Sequence, residues 1–122
     1  MSKKQPEFSH HIRRDGDVVI VEMRGALYGV AATKLKSRMD ELLNDGAMCV
    51  VFDCQQLSYT GFHGYRVVLA VAKELQLRKG RFALCNLIPD LKDLFQLATV
   101  MDLKISISDS LDGALAAVRN RP

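Results

Sequence analysis

Apolar and polar positions alternate in blocks along the chain, and the period of alternation changes from block to block. Phe8 to Arg14 reads as a short strand, followed by the turn signal Asp15-Gly16-Asp17. Val18 to Leu27 (VVIVEMRGAL) is rich in β-branched residues and predicts a second strand. From Ala31 to Leu43 the period lengthens. Ala31, Leu35, Met39, Leu42 and Leu43 share one face of a helix, and Lys34, Lys36, Arg38 and Asp40 are left for water. Asn44-Asp45-Gly46 closes it with a glycine suited to a helix C-terminus. Met48 to Cys54 (MCVVFDC) is almost continuously apolar, as expected of a strand covered on both faces. A loop through Tyr59 to Gly64 follows, and Gly64 to Lys79 predicts a second helix ending at Gly80. Arg81 to Ile88 (RFALCNLI) is a further strand. Pro89 then opens a third helix, where its missing N–H is tolerated, with Leu91, Leu94, Phe95 and Ala98 as its stripe. Lys104 to Ser108 (KISIS) alternates like a strand. Ser110 is placed to cap a last helix with Leu111, Ala114, Leu115 and Val118 inward.

The order β, β, α, β, α, β, α, β, α predicts an α/β fold. The sheet is expected to be mixed and mostly parallel, with about five strands and about four helices. Its length of 122 residues suits one domain, expected over residues 8–122 after a flexible N-terminal segment 1–7. The composition, 48% apolar and 25% charged, is that of a globular chain rather than a disordered one. No apolar stretch reaches the ~18–20 residues that span a bilayer. The basic N-terminus lacks the apolar core of a secretory signal, so a cytoplasmic address is expected. Net charge is +3, but the lysines and arginines are scattered, which points to solvated surface rather than a nucleic-acid interface. Cys49, Cys54 and Cys85 are odd in number and lack CxxC spacing, which argues against a disulfide framework or a zinc site. Each lies in or beside a strand, as a buried small hydrophobe would.

Recognisable catalytic chemistry is sparse. Neither glycine-rich phosphate-cradling motif is present. His10 and His11 are adjacent on an extended segment and point to opposite faces, a poor arrangement for a metal. Asp53 ends an apolar strand and is either a functional carboxylate or a brace for the following turn. Asp90 and Asp93 fit the first turn of a helix, where the dipole favours them. His63 begins the second helix, between Phe62 and Gly64. It is either a base or a structural residue, and Ser58 and Thr60 nearby have nothing to activate them. No enzyme activity, cofactor or metal is expected.

The layout resembles the STAS domain of bacterial anti-sigma-factor antagonists over about Phe8 to Val118. The resemblance is carried by Arg24-Gly25-Ala26-Leu27, Val51-Phe52-Asp53, Gly64, Cys85-Asn86-Leu87-Ile88-Pro89, Ala98 to Asp102, and Asp109 to Leu115. Such domains usually carry Asp-Ser-Ser/Thr-Gly at the loop, and a partner kinase phosphorylates the residue before the glycine. The four positions here are Gly61-Phe62-His63-Gly64, so His63 holds the phospho-acceptor position without a hydroxyl. Tyr28 stands where the family pattern offers an acid.

The resemblance implies a non-enzymatic regulatory module that binds a protein: an anti-sigma or kinase-like ATPase-fold protein, a phosphatase, or a larger signalling assembly. Tyr28, Tyr59, Thr60, Gly61, Phe62, His63, Gly64, Tyr65 and Arg66 form the implied contact face. Binding there is not expected to be switched by Ser/Thr phosphorylation at position 63. A homodimer remains open; nucleic acid and membrane insertion are not expected. The alternative is an anion, nucleotide or small-ligand sensor using residues 59–66 at the helix N-terminus. Two further questions stay open at this point. Tyr59 and Tyr65 either reach outward or tuck under the loop. The apolar run Val67 to Ala72 either meets a partner or is covered by the preceding helix.

Overall fold

The β-branched run from Val18 sits inside the sheet, beside its central strand, because it can be buried from both sides. A computed structural model describes residues 6–119. Its elements are β1 (Ser9–Asp15), β2 (Val18–Leu27), α1 (Gly29–Asn44), β3 (Cys49–Thr60), α2 (Phe62–Leu77), β4 (Arg81–Cys85) and α3 (Pro89–Ala98). A short 3-10 turn (Thr99–Met101), β5 (Ser106–Ser108) and α4 (Leu111–Arg119) complete the chain. The strands lie side by side in sequence order. β1 pairs antiparallel with β2, from Ser9 opposite Arg24 to Asp15 opposite Val18. The other pairings are parallel, with Val18 opposite Cys49, Cys49 opposite Arg81 and Ala83 opposite Ser106. The expected mixed, mostly parallel α/β sheet with four helices is therefore what the chain forms.

Alternation along each strand feeds two cores. Val19, Val21, Val50, Phe52, Phe82 and Leu84 point to the face covered by α1, α2 and α3, where Phe52 and Phe82 meet edge to face at 4.8 Å between centroids. Val18, Ile20, Cys49, Val51, Ala83 and Cys85 point to the other face, which α4 covers with Ala114, Leu115 and Val118. All three cysteines are buried and free, as small hydrophobes. α2 buries Val67, Val68, Val71, Ala72 and Leu75 against the sheet and α1, so its apolar run is occupied within the domain. No helix among the described residues is long and apolar enough to cross a membrane.

The boundaries differ from expectation chiefly at four elements, and β5 (Ser106–Ser108) is also shorter than the expected Lys104 to Ser108. β3 does not end at Asp53 or Cys54 but runs on to Thr60, held by β2, with Arg24 opposite Gln56 and Leu27 opposite Thr60. α2 begins at Phe62, so Phe62 and His63 lie in a helical turn rather than a loop. β4 stops at Cys85 because Asn86 turns into the left-handed region (φ 60°), which Asn tolerates. α1 begins at Gly29 and turns Ala32, not Ala31, fully inward. Pro6 and Glu7 lie against β2: Ala26 N–H donates to the Pro6 carbonyl, and Gly25 (φ 87°) packs directly on the backbone of both. Residues 1–5 of the segment expected to be flexible fall outside the described residues.

Candidate functional site

The expected contact residues gather where β2 and β3 end in parallel and hand the chain to α1 and α2. The Leu27 carbonyl is the hub of this edge. It accepts the Gly61 N–H at 2.9 Å and the Thr60 hydroxyl at 3.3 Å. Ser58 donates to the Gly25 carbonyl at 3.1 Å. The two hydroxyls nearest His63 in sequence thus tie strand ends together. Gly64 is buried directly on this hub, where a β-carbon would collide with the Leu27 carbonyl oxygen and stand 2.6 Å from Thr60 Oγ1. The start of α2 is therefore pressed onto the strand ends, and the residues around it project from a rigid base.

Three aromatic rings project from that base. Phe62 is 75% exposed, Tyr28 54% and Tyr59 43%. Tyr28 and Tyr59 meet edge to face at 6.1 Å, and Arg66 lies over the Phe62 ring at 5.8 Å. Val30, in the first turn of α1, is also largely exposed. Tyr65 takes the opposite course from Tyr59. It packs on Phe95 at 5.3 Å, and its hydroxyl points to the Leu94 carbonyl at 3.5 Å.

His63 is exposed, and its Nε2 lies 3.0 Å from Thr33 Oγ1 on α1. Thr33 was not a sequence candidate; only the packing of α1 against α2 brings it there. The hydroxyl and imidazole make one element of a base–nucleophile pair. Among the described residues, no carboxylate bonds to the other ring nitrogen to orient the imidazole as a triad requires. The contact instead pins the second turn of α1 to the first turn of α2.

Asp53 lies apart from this face. It sits mid-strand on the α4 side, nearly fully buried, where Oδ1 accepts the Gln55 N–H at 3.2 Å and Asn86 Nδ2 at 3.0 Å. It braces the left-handed turn after β4 rather than a turn after β3. Burial, the adjacent Asp53 carboxylate and a hydrogen bond to it push the Cys85 thiol up to about 12. Burial first, then Cys85 and Asp53, pushes Cys54 up as well. Such thiols stay protonated and are poor nucleophiles. Grooves of about 330, 540 and 510 Å³ lie elsewhere on the surface, and none of these three is lined by residues 59–66.

The sheet, its two helical layers and this aromatic edge define a small α/β domain whose distinctive surface is the start of its second helix. The STAS domain family model matches residues 10–114, and the chain belongs to that family. A relative from Bordetella bronchiseptica named as an anti-sigma factor antagonist, BtrV, is 28% identical over 102 residues, covering 84% of this chain and 87% of BtrV. An anti-sigma factor antagonist from Mycobacterium paratuberculosis superposes with a TM-score of 0.80 at 21% identity, covering 93% of this chain and 96% of that one. Unphosphorylated SpoIIAA superposes with a TM-score of 0.77 at 21% identity, covering 93% of this chain and all of that one.

Gly61 and Tyr28 fit one another, since a β-carbon at Gly61 would stand 2.9 Å from Cβ of Tyr28. The tyrosine can lie over the loop because position 61 is bare.

Proposed function

We propose that this domain is a non-enzymatic regulatory module that docks a protein partner on the edge formed by Tyr28 and residues 59–66. The observation that carries this reading is the cluster of exposed rings on a rigid base. Tyr28, Tyr59 and Phe62 offer aromatic area at little conformational cost, as binding anchors do. The names of its relatives make an anti-sigma factor the first partner to test, and the resemblance to STAS domains adds a kinase-like ATPase-fold protein, a phosphatase or a larger signalling assembly. In this reading the docking edge stays permanently competent. A phosphate at position 63 would add about −1.5 to −2 charges at the centre of the face, but His63 has no hydroxyl to carry one.

The test uses the full chain, a purified anti-sigma kinase from the same organism, and ATP. A complex that persists on incubation, with no phosphate on residues 58–66, is the expected result. A phosphate in that stretch that dissolves the complex refutes the unswitched reading. A stability increase with nucleotides or inorganic anions, with no partner bound, refutes the protein-docking reading in favour of a ligand sensor.

A further inference from the structure

The charges around the aromatic edge are sorted by sign. From Gly25 to Met39 and from Cys54 to Lys73, the two segments that build the edge and all but the last turns of α1 and α2, there are five lysines and arginines. There is no aspartate or glutamate in either. The acids of α1 and α2 come later, and each is engaged: Asp40 by Lys36, Glu41 by Arg38 and Glu74 by Arg78. Lys34, Arg66 and Lys73 have no carboxylate within ion-pairing distance among the described residues. The N-terminus of α2 adds its own partial positive charge, with no acidic residue in the first turn to offset it. Asp90 and Asp93 belong to α3, which meets α2 through Tyr65, Leu94 and Phe95. Glu7, whose backbone packs on Gly25, and Asp40 and Glu74, which share a groove with Lys73 and are paired with Lys36 and Arg78, are the acids nearest these segments, so the edge itself is predominantly basic although the whole chain carries only +3.

From this sorting we infer that the partner's docking surface is an acidic protein surface with an apolar notch that receives Phe62, and that binding is steered by charge. The inference rests on the protein-docking reading and names the chemistry of the partner. An acidic, notched protein surface is favoured over a nucleic acid or an anionic bilayer because the cations are few, with Arg66 over the Phe62 ring and Lys34 and Lys73 farther along α1 and α2. A polyphosphate backbone would call for a continuous basic track, whereas a central aromatic anchor with charges around it is the layout of a protein interface. Carboxylates at positions 28 and 61, where this chain has Tyr and Gly, would repel the partner that Lys34, Arg66 and Lys73 attract.

The probe is a displayed library of random peptides selected on the full chain, with winners mapped by amide chemical shifts. The expected winners combine Asp and Glu with an aromatic or aliphatic anchor and perturb residues 28–34 and 59–73. Their affinity should fall about tenfold in high salt. It should fall by a similar factor with Arg66→Glu or with the pair Lys34→Glu and Lys73→Glu, and with Phe62→Ala. All four positions are solvent-facing, and unchanged amide spectra elsewhere verify the fold. Winners on this edge without acid enrichment or salt dependence overturn the acidic-partner inference and leave the docking reading standing. Winners that map only elsewhere overturn both. Tighter binding of duplex DNA or phosphatidylserine vesicles at the same residues overturns the choice of a protein.

Discussion

Replacing Gly64 with alanine tests whether the edge is a rigid base. In a free helix the change stabilises, by about 1 kcal/mol. Here the added methyl meets the Leu27 carbonyl oxygen, Thr60 Oγ1 at 2.6 Å and Leu27 Cγ at 2.9 Å. Two of these contacts can hardly yield. The carbonyl is backbone in a buried strand end that also receives Gly61 and Thr60, and the Thr60 hydroxyl is held between it and the Gly61 carbonyl. With backbone on one side the cost falls in the upper part, about 2–3 kcal/mol, of the range typical of overpacking, so the helix gain is outweighed and a net loss of about 1–2 kcal/mol is expected. For a domain of this size that lowers the melting temperature by about 4–8 °C.

Gly113→Ala in α4 is the matched control. Its β-carbon meets the Ser108 hydroxyl, which can rotate away, and stands 3.1 Å from the capping Ser110 Oγ, with no backbone carbonyl among its nearest atoms. That variant should be neutral or slightly stabilised. Urea titrations of both variants beside the parent chain give the comparison. A neutral or stabilised Gly64→Ala, or equal losses at both positions, would show that the helix start is not pressed on the strand ends as described.

Arg78 ties α2 to the end of α1, donating from Nη1 to the Leu43 carbonyl at 2.7 Å, from Nη2 to Asn44 Oδ1 at 3.2 Å and from Nε to Glu74 at 2.8 Å. Arg78→Ala should cost about 1–2 kcal/mol in denaturant, and Arg78→Lys should recover only part of it, because an ammonium cannot span three acceptors. The raised thiols predict that Cys54 and Cys85 resist iodoacetamide in the native chain at pH 8 and react once urea unfolds it, as followed by mass spectrometry. With the folded pKa of Cys85 above the ordinary value near 9, the unfolded chain loses its proton first. Stability linked to this group is intact below about pH 9 and is lost as pH rises towards about 12. Cys85→Ala should therefore flatten the alkaline decline in unfolding free energy, and an unchanged slope would contradict the assignment.

The periodicity of the chain determined the element order, the mixed sheet and most of the core, because one buried face per helix and two per central strand leave a direct trace in residue type. It also placed Gly64 at the start of the second helix, since the spacing around it is local, whereas a phospho-acceptor position at His63 is only what the family resemblance implies. What the tertiary structure decided lies where neighbours override local pattern. The second half of β3, Gln55 to Thr60, looks like a loop because two register shifts against β2 break the alternation, and only the partner strand makes it a strand. Asp53 became a brace for Asn86, 33 residues away, because parallel pairing sets it opposite Cys85. Thr33 reached His63 because two helices pack side by side on one face of the sheet. Whether Tyr59 or Tyr65 would face water was likewise beyond the sequence: both flank the same short stretch, and α3 covers only one of them.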